Sequence, residues 1–475
     1  MDTTKKIAIV GGGIAGASVA LYLAKTGLSI TLFDKEKSLV SGPPMCHLHA
    51  GGNLYREIDD NQCKMLLQQS IELLRFYPYA IDFRPTVIAT PTTDESEPSD
   101  LFPRLKMLQA EYRHLIELDP NNEVLGKSEE YFKCFSKEEM LLLKEKESVQ
   151  HPQTLDEWMI PVAKNIELEK IKYPLIMVQE YGLNVFRISA SVTLGLEKQE
   201  NVGLKTETEV LDIKKYETSF KITYKHDDEV VTEDFDYLIN AAGFRSGEID
   251  DMLGIKRDRL VEFKAAYVTK CNKYDTLWPE VIFHGKRGTP QGMAQFTPYP
   301  DGYFQLHGMT KDITLFDNGL VRSNALSAQP KLDDMFIKKI DQGWCFTVTQ
   351  SRTQAAIEHL AQYIPAFKDA KVASKPLYGA QQIPGDDADL RASEVSFEGE
   401  RYARCEIVKA SSILTMADAI VKKLIGLGFV DREFYGQRDF TTAQTLKKED
   451  VDRYAELTCK EREYPSSLAY VSNSY

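Results

Sequence analysis

The stretch Lys6-Ile-Ala-Ile-Val-Gly-Gly-Gly-Ile-Ala-Gly16 decides the fold of this chain. Its first five residues form a short apolar run with β-branched side chains, which predicts a buried strand. The residues after the glycines, 17–26, predict a helix. Gly11 permits a tight turn, Gly13 lets the backbone approach a pyrophosphate, and Gly16 allows the helix to pack closely on the strand. The stretch therefore predicts a strand, a tight turn and a helix.

A second strand and an acidic residue follow at the spacing that nucleotide-binding units use. Residues 28–33 predict the strand, and Asp34 comes 18 positions after Gly16, close to the roughly 20 typical of an acid that binds a ribose hydroxyl. Ile14 and Ala15, in the turn before the predicted helix, are candidate cofactor residues, because the N-terminus of the helix offers phosphate free N–H groups and a positive dipole end. A glycine-rich turn that binds nothing is the alternative, but the ordered set favours a dinucleotide site. The carboxylate disfavours a 2′-phosphate.

Length and charge limit the classes of protein to which the chain can belong. At 475 residues it has room for two to four domains, and 43% of its residues are hydrophobic. The formal net charge of −13 repels phosphate backbones and anionic lipid, so nucleic acid is not expected as a partner. No run reaches the roughly 18–20 apolar residues of a membrane span, and the first residues do not form a signal peptide. We expect peripheral membrane association at most.

The cysteines and histidines are dispersed along the chain. Seven cysteines occur without a Cys-x-x-Cys pair, which favours free thiols in a reducing cytoplasm over a disulfide framework. The eight histidines are scattered too, except His47 and His49. We therefore expect a cytoplasmic protein without a metal site.

A second apolar run ends in small residues near the middle of the chain. Residues Asp236-Tyr-Leu-Ile-Asn-Ala-Ala-Gly243, downstream of an N-terminal dinucleotide fingerprint, resemble the two-domain flavoproteins of the D-amino acid oxidase superfamily. The resemblance implies FAD as the cofactor, with Ala242 and Gly243 beside it. It also implies an α/β protein of two domains, a Rossmann-like FAD domain with a parallel sheet and an α+β substrate domain with an antiparallel sheet.

Further stretches place the adenine and show where the chain departs from the superfamily. Residues 179–189 and 202–213 are similar to the superfamily's helix and the strand after it, whose valine touches adenine, and Val210 takes that position. Residues 378–385 carry glutamines where the superfamily commonly has an arginine, and residues 408–412 replace its glycine-rich flavin loop. The resemblance therefore assigns no arginine to a substrate carboxylate.

A segment near the N-terminus resembles the one that reaches the flavin ring. Ser41 and Gly42, followed by residues 49–52 and Tyr55, are similar to the segment of L-2-hydroxyglutarate dehydrogenases that passes the pyrophosphate, and malate:quinone oxidoreductases have a related segment. Such enzymes pass a hydride from a substrate carbon to flavin N5, while the protein orients the substrate and accepts a proton. His49 is our first candidate for the catalytic proton acceptor. The alternatives are a structural histidine or one that steadies negative charge on the reduced flavin.

His307 is the second catalytic candidate. It ends a predicted strand on the same face as Tyr303 and Gln305, although a histidine on a sheet is more often a satisfied, half-buried residue. The resemblance places this strand in the floor of the substrate pocket. The strands predicted for that floor are 263–269, 280–284, 294–297 and 303–307.

Several charged or reactive residues lie in segments that the resemblance brings near the cofactor. Lys409 is a candidate cation beside the flavin, or else a solvated lysine at the start of a helix. His47 points to the same side as His49 only if the segment is extended. Cys46 is expected to be a plain buried thiol and not a covalent flavin link. The arginines available to pair with a carboxylate are Arg56, Arg187 and Arg391.

The motif order predicts two interleaved domains. The FAD domain takes residues 1–80, 176–258 and 375–437, the substrate domain takes 81–175 and 259–374, and 438–475 form a C-terminal tail. The tail is charged and then rich in Ser and Tyr.

These features predict an FAD-dependent oxidoreductase that acts on a small polar substrate. A 2-hydroxy acid is the first expectation, from the resemblance of the 41–55 segment, and an amino acid or secondary amine is the alternative within the class. The electron acceptor, whether a quinone, oxygen or a carrier protein, stays open. The rival from another class is a flavin-free escort protein for prenylated small GTPases, which resembles the same architecture. The intact fingerprint favours the enzyme.

Overall fold

The computed structural model describes residues 4–50, 58–274, 276–388, 390 and 393–472. The strands are β1 (Lys6–Val10), β2 (Ser29–Phe33), β3 (Ile81–Asp82), β4 (Thr86–Pro91), β5 (Phe132–Phe135), β6 (Ile171–Val178), β7 (Gly182–Leu183), β8 (Val202–Lys205), β9 (Glu209–Lys215), β10 (Phe220–His226), β11 (Glu229–Phe235), β12 (Tyr237–Asn240), β13 (Arg259–Lys270), β14 (Glu280–Phe283), β15 (Ala294–Pro298), β16 (Tyr303–Gly308), β17 (Leu320–Arg322), β18 (Lys371–Val372), β19 (Leu377–Pro384), β20 (Val395–Phe397) and β21 (Tyr402–Cys405).

The helices connect and cover these strands. They are α1 (Ile14–Leu23), α2 (Asp60–Phe76), α3 (Phe102–Leu118), α4 (Lys137–Lys144), α5 (Leu155–Asn165), α6 (Val185–Leu196), α7 (Ser246–Met252), α8 (Asp334–Gln342), α9 (Phe346–Ala361), α10 (Ile413–Gly426), α11 (Thr441–Gln444) and α12 (Lys448–Glu461). Within the described ranges, no helix is both long and apolar enough to cross a membrane.

The first sheet has the order β20-β21-β12-β1-β2-β8, with β1 parallel to both of its neighbours. Ile7 and Ile9 of β1 pack in one core with α1, α6 and α10. Ala8 and Val10 pack on the other side, against the antiparallel sheet β11-β10-β9. A strand buried on both faces reads as a continuous apolar run. The expected Rossmann-like parallel sheet is confirmed, and α1 begins at Ile14, earlier than the sequence pattern indicates.

The second main sheet has the order β17-β13-β16-β15-β14-β4-β6-β5, and β18 and β19 also pair with β13. Its strands are antiparallel to their neighbours except β14 and β4, which are parallel. The four strands predicted for the pocket floor are present as β13 to β16. One face of this large sheet packs with α5 and α9. Residues on the other face, such as Ile88 and Val268, join the core of the parallel sheet, so the two main sheets pack against each other.

The domain division stays a prediction, and two strands bear on its boundaries. β6 runs across position 176 and pairs with β4 and β5 in the large sheet. β19 lies in the segment expected to return to the FAD domain, but it pairs with β13 along its length. The parallel sheet receives its last strands from β20 and β21. The chain therefore crosses between the two sheets directly after β19.

The C-terminal residues, expected to form a tail, contain the helix α12. Asp452 of α12 pairs with the buried Arg187 of α6 at 2.7 Å. Val451, Ala455 and Cys459 are fully buried, and their spacing of four residues places them on one helix face. This apolar spacing was the available sequence signal, and the charged residues between these positions conceal it.

Candidate active site

The glycine turn after β1 is too tight for a side chain at two positions. Gly11 has φ +105°, and a Cβ there would lie 2.3 Å from the carbonyl oxygen of Ala241. A Cβ on Gly16 would lie 1.9 Å from the carbonyl oxygen of Gly11. Both contacts are with backbone atoms that no rotamer change can move, so the turn requires glycine.

Gly13 differs from these two because a Cβ there would meet nothing within 4 Å. Gly13 is the N-cap of α1, without a side-chain cap, and the first turn of α1 holds no acidic residue. The first N–H groups of α1, at Ile14 and Ala15, therefore lie beside open space at the positive end of the helix dipole. Open space and uncapped N–H groups together fit a pyrophosphate.

Asp34 follows β2 beside the same turn. Its carboxylate accepts hydrogen bonds from the N–H groups of Gly12 at 2.5 Å and Glu36 at 2.7 Å. Burial raises the pKa of Asp34 to about 6, although these hydrogen bonds act in the opposite direction. The carboxyl group is therefore mostly ionised at neutral pH, as an acceptor for ribose hydroxyls requires.

Val210 and Ala242 lie at the edge of the parallel sheet where the glycine turn lies. Both pack against an apolar cluster that contains Val10 and Phe33, near the C-terminal ends of β1 and β2. Gly243 has φ +58°, and a Cβ there would meet nothing within 4 Å. Tertiary structure thus brings three candidate cofactor residues from distant segments to one edge.

Ser41 and Gly42 lie on the segment that leaves the glycine turn for the large sheet. A Cβ on Gly42 would lie 2.7 Å from the carbonyl oxygen of Tyr378, and one on Gly379 would lie 3.0 Å from the Cα of Pro43. Ser41 is exposed. The segment therefore runs directly against β19, at the junction of the two main sheets.

His49 and Lys409 meet at this junction across 360 positions of sequence, with His49 Nε2 at 3.2 Å from Lys409 Nζ. An ammonium group only donates, so this nitrogen accepts, and the neutral ring carries its proton on Nδ1. Gln381 of β19 donates to the carbonyl oxygen of Val408 at 2.6 Å and so holds the lysine segment against the large sheet. The continuation of the histidine segment, 51–57 with Tyr55, lies outside the described residues.

His47 belongs to a buried ion network next to His49. The two imidazole rings lie 4.8 Å apart, centroid to centroid, and His47 Nδ1 lies 2.5 Å from Glu280 Oε1. Gln295 donates to the same oxygen at 2.7 Å, and Arg84 donates to Glu280 Oε2 at 2.9 Å. Burial would raise the pKa of Glu280, but the charges of His47 and Arg84 lower it to about 2. The segment is therefore anchored to the large sheet by charge as well as by packing.

Cys46, His47 and Glu280 place atoms of metal-ligand type within 4.8 Å of one another. Burial opposes a charge on His47, yet Cys46 and Glu280 raise its pKa well above its ordinary value. Both ring nitrogens of an imidazolium carry protons, and both oxygens of Glu280 already accept hydrogen bonds, one of them from Arg84. The group is therefore an ion network in which Glu280 pairs with both His47 and Arg84.

His307 lies on β16 and shares a face with Gln305. Its Nδ1 lies 3.3 Å from the carbonyl oxygen of Ala265 and 3.3 Å from Thr314 Oγ1. Burial, and then the charge of Lys264, lowers the pKa of His307 to about 4. The ring is therefore neutral at neutral pH and is suited to donate or accept a hydrogen bond.

An ion triad that the sequence pattern did not reveal lies on the same sheet. Glu262 lies 2.5 Å from both Lys264 Nζ and Arg287 Nη2. Burial would raise the pKa of Glu262, but these two cations lower it to about 2. Glu262 pairs in register with Gln381, the residue that holds the Lys409 segment. The only feature of the local sequence that could have indicated the triad is a Glu and a Lys two positions apart in an apolar strand.

The structure describes one of the three arginines that were candidates for pairing with a substrate carboxylate. Arg56 and Arg391 lie outside the described residues. Arg187 is buried, pairs with Asp452 and donates to the carbonyl oxygen of Tyr79, which indicates a structural role. It also lines a cavity of about 590 Å³ that the candidate cofactor residues do not line. We therefore place the candidate site at the glycine turn and the sheet junction.

A parallel sheet with this glycine turn, packed on a large antiparallel sheet, defines a two-domain dinucleotide-binding protein. The family described as FAD dependent oxidoreductase (DAO) matches residues 6–142. Residues 6–142 of the chain are therefore similar to FAD-dependent oxidoreductases. No curated protein sequence matches the chain.

Solved structures share the fold over most of the chain. A glycine oxidase from Geobacillus kaustophilus is similar with a TM-score of 0.57 and 14% identity, over 89% of this chain and 95% of that one. An L-proline dehydrogenase from P. horikoshii has a TM-score of 0.56 and 14% identity, over 91% and 96%. An L-alpha-glycerophosphate oxidase from Mycoplasma pneumoniae with FAD bound has 0.54 and 17%, over 89% and 94%. At these identities the likeness concerns the fold alone.

Proposed function

We propose that the protein oxidises a small anionic substrate, in the first place a 2-hydroxy acid, and passes its hydride to FAD. The observation that carries the proposal is the contact of His49 Nε2 with Lys409 Nζ at 3.2 Å. The contact puts a proton acceptor and a positive charge together where the two main sheets meet. A 2-hydroxy acid needs both, because its hydroxyl must lose a proton and its carboxylate must be paired.

We assign FAD to the groove that begins at the glycine turn. When bound, FAD accepts the substrate hydride at flavin N5. The N–H groups of the first turn of α1 would hold the pyrophosphate, Asp34 would accept from the ribose, and Val210 would contact the adenine. The proposed cofactor residues are Gly11, Gly13, Ile14, Ala15, Gly16, Asp34, Ser41, Gly42, Val210, Ala242 and Gly243.

His49 is the proton acceptor in this proposal. The substrate hydroxyl replaces Lys409 as the donor to His49 Nε2, and its proton moves to that nitrogen. The substrate carbon loses a hydride with both electrons of its C–H bond, so the alcohol becomes a ketone and His49 becomes an imidazolium. The protonated ring of His47, 4.8 Å away, disfavours a lasting second charge there. His49 therefore releases the proton before the next turnover.

The triad on the large sheet supplies positive charge close to the junction. Lys264 and Arg287 both pair with the carboxylate of Glu262, so two positive groups lie side by side on this sheet. The side chain of Arg287 is 44% exposed, so a small anion can reach it. We propose that these cations hold the substrate carboxylate against the unfavourable net charge of −13. We propose His307, neutral because its pKa is lowered to about 4, as a hydrogen-bonding partner of the substrate.

An amino acid or secondary amine is the second candidate substrate class. Such a substrate presents its carboxylate to the same cations and its amine proton to the same histidine. Proteins named glycine oxidase and L-proline dehydrogenase are among those with this fold, which supports the class without choosing it over hydroxy acids.

Anaerobic reduction of the FAD-loaded protein tests the substrate class. We expect 2-hydroxy acids to bleach the visible flavin absorbance and matched alcohols without the carboxylate to leave it unchanged. Bleaching by amino acids alone would assign the second class. Bleaching by neither class would overturn the anionic-substrate proposal, and a colourless protein that takes up no FAD would contradict the cofactor assignment.

A further inference from the structure

The C-terminal arm, defined as residues 438–472, folds back over the parallel-sheet half of the molecule. α12 packs on α6, and the segment after α12 continues along the same surface. Asn184, the N-cap of α6, donates to the carbonyl oxygen of Leu468 at 2.8 Å. Ser467 donates to Asp301 at 2.7 Å, in the turn before β16. The arm is therefore fastened to both main sheets.

Arg462 links the arm to the loop 38–40. Its guanidinium donates to the carbonyl oxygens of Leu39 at 2.7 Å and Val40 at 3.0 Å, and to Ser38 Oγ at 2.9 Å. Ser189 Oγ, 3.5 Å from the same guanidinium, donates to the carbonyl oxygen of Leu39 at 2.6 Å. One planar group with five donors thus holds three successive residues.

The loop 38–40 lies directly on the glycine turn. The N–H of Val40 donates to the carbonyl oxygen of Gly12 at 3.0 Å, and a Cβ on Gly12 would lie 2.5 Å from the side chain of Leu39. Val40 has φ +56°, a left-handed conformation that β-branched residues disfavour. Such a conformation persists where the surroundings impose it, and Arg462 is bonded to the carbonyl oxygens of both Leu39 and Val40.

The loop also sets the course of the segment that follows it. Ser41 and Gly42 come next in the chain, and the segment continues along β19 to His49. The arm reaches this region a second time, because Tyr464 donates to the carbonyl oxygen of Pro376 at 2.8 Å, just before β19. The arm therefore contacts both chain segments that lie between the glycine turn and the junction. Arg462 binds the loop 38–40, and Tyr464 binds the residue before β19.

We infer that the C-terminal arm is part of the cofactor site and that Arg462 is a positioning residue for FAD. It holds the loop 38–40 against the glycine turn, so that the turn and the segment 41–49 present one continuous groove. The inference rests on the assignment of FAD and is independent of the substrate class. Because binding free energies are reciprocal, bound FAD in turn stabilises the docked arm.

Titration of the apoprotein with FAD, followed by fluorescence quenching, tests the role of Arg462. We expect Arg462→Ala to weaken FAD binding at least tenfold, since the loop loses all its guanidinium bonds. Arg462→Lys keeps the positive charge but loses the planar set of donors. Its affinity for FAD should therefore lie between that of the parent protein and that of Arg462→Ala. Arg453→Ala is the matched control, because Arg453 lies on α12 with a side chain that is 74% exposed. The control should bind FAD like the parent protein.

Thermal unfolding with and without FAD separates positioning from a merely structural role. A merely structural Arg462 would lower the unfolding temperature of the apoprotein when replaced but leave FAD affinity unchanged, and that result would overturn the inference. We expect instead that the rise in unfolding temperature caused by FAD becomes smaller in both Arg462 variants, because this rise reports binding to the folded state.

Limited proteolysis of the full chain tests the reciprocal effect. The link 427–437 precedes the arm, and we expect FAD to slow cleavage there in the parent protein but not in Arg462→Ala. Equal protection of both proteins by FAD would contradict the inference. None of these measurements needs a substrate, so failure of the 2-hydroxy acid proposal and failure of this inference are distinguishable.

Discussion

The glycine turn and the sheet junction form two parts of one candidate site, and they are specified in different ways. At the turn, Gly16 is required by a backbone contact within the same short stretch, with Gly11, and Gly11 is required by a backbone contact with Ala241 after the neighbouring strand. At the junction, His49 meets Lys409 across 360 positions, and Glu262 meets Arg287 from another part of the large sheet. A site imposed by local backbone geometry is readable from spacing, whereas a site made of side chains depends on how the sheets pack.

The largest effects are expected at the glycine turn, where two substitutions of one kind separate folding from binding. Gly16→Ala should prevent folding or strongly lower the unfolding temperature, because its Cβ would lie 1.9 Å from a backbone oxygen. Gly13→Ala should leave the unfolding temperature of the apoprotein unchanged but weaken FAD binding, because its Cβ enters open space. Thermal unfolding and FAD titration measure both. If Gly13→Ala binds FAD as tightly as the parent protein does, the pyrophosphate does not bind beside Gly13.

The buried network at the junction should respond next. Glu280→Gln leaves the charges of His47 and Arg84 buried without their carboxylate, which we expect to lower the free energy of unfolding by about 3–5 kcal/mol. Urea unfolding measures the change, and Glu358→Gln, at an exposed position of α9, is the control. If the two variants are equally stable, the network does not anchor the segment.

The chemistry at the junction is tested by His49→Gln. We expect the rate of anaerobic flavin reduction by substrate to fall by about 10²–10⁴, the usual contribution of a general base, while FAD affinity stays close to that of the parent. His114→Gln, at an exposed position of α3, is the control. Its flavin should be reduced by substrate at the rate of the parent protein. An unchanged rate in His49→Gln would remove this residue from catalysis.

A smaller effect is expected at the triad. Arg287→Met should raise the KM for the substrate by about ten- to a hundredfold, the range of one lost charge-assisted hydrogen bond. The value of kcat should change less, because a carboxylate contact is made in both the ground state and the transition state. Lys286→Met, the exposed neighbour, controls for loss of general positive charge. Equal KM values in the two variants would place the substrate carboxylate elsewhere.

The last prediction concerns the pH dependence of stability at the glycine turn. The pKa of Asp34 is raised from 3.8 to about 6, so the folded apoprotein keeps a proton that the unfolded chain loses between about pH 4 and 6. This group therefore makes the folded state less stable as pH rises through that window. Urea unfolding at a series of pH values measures this effect. Between pH 4 and 6 the free energy of unfolding of Asp34→Asn should rise relative to that of the parent protein. Above pH 6 the difference between the two proteins should stay constant. Asp317→Asn, at an exposed position, should show no such change.

The C-terminal arm separates features that local sequence patterns can predict from features that they cannot. The strands β13 to β16 were predictable because alternation and turn residues are local signals. The buried positions of α12 carry a helical spacing, but the charged residues between them favoured a tail as the interpretation. The reach of Arg462 to the loop 38–40 had no sequence signal, because 422 positions separate it from Val40.

By itself, the sequence determined the parallel sheet, the glycine turn, the acid after β2 and, through resemblance, FAD as the cofactor. These features depend on backbone geometry and on residues close together in the chain, so their spacing is preserved in the primary structure. Only the tertiary structure decided that Lys409 lies beside His49, that Glu280 holds His47, and that Glu262 lies between Lys264 and Arg287. Charged side chains from distant strands and loops have no spacing rule. Their partners are set by the packing of the two sheets and by the cost of burying a charge without a partner.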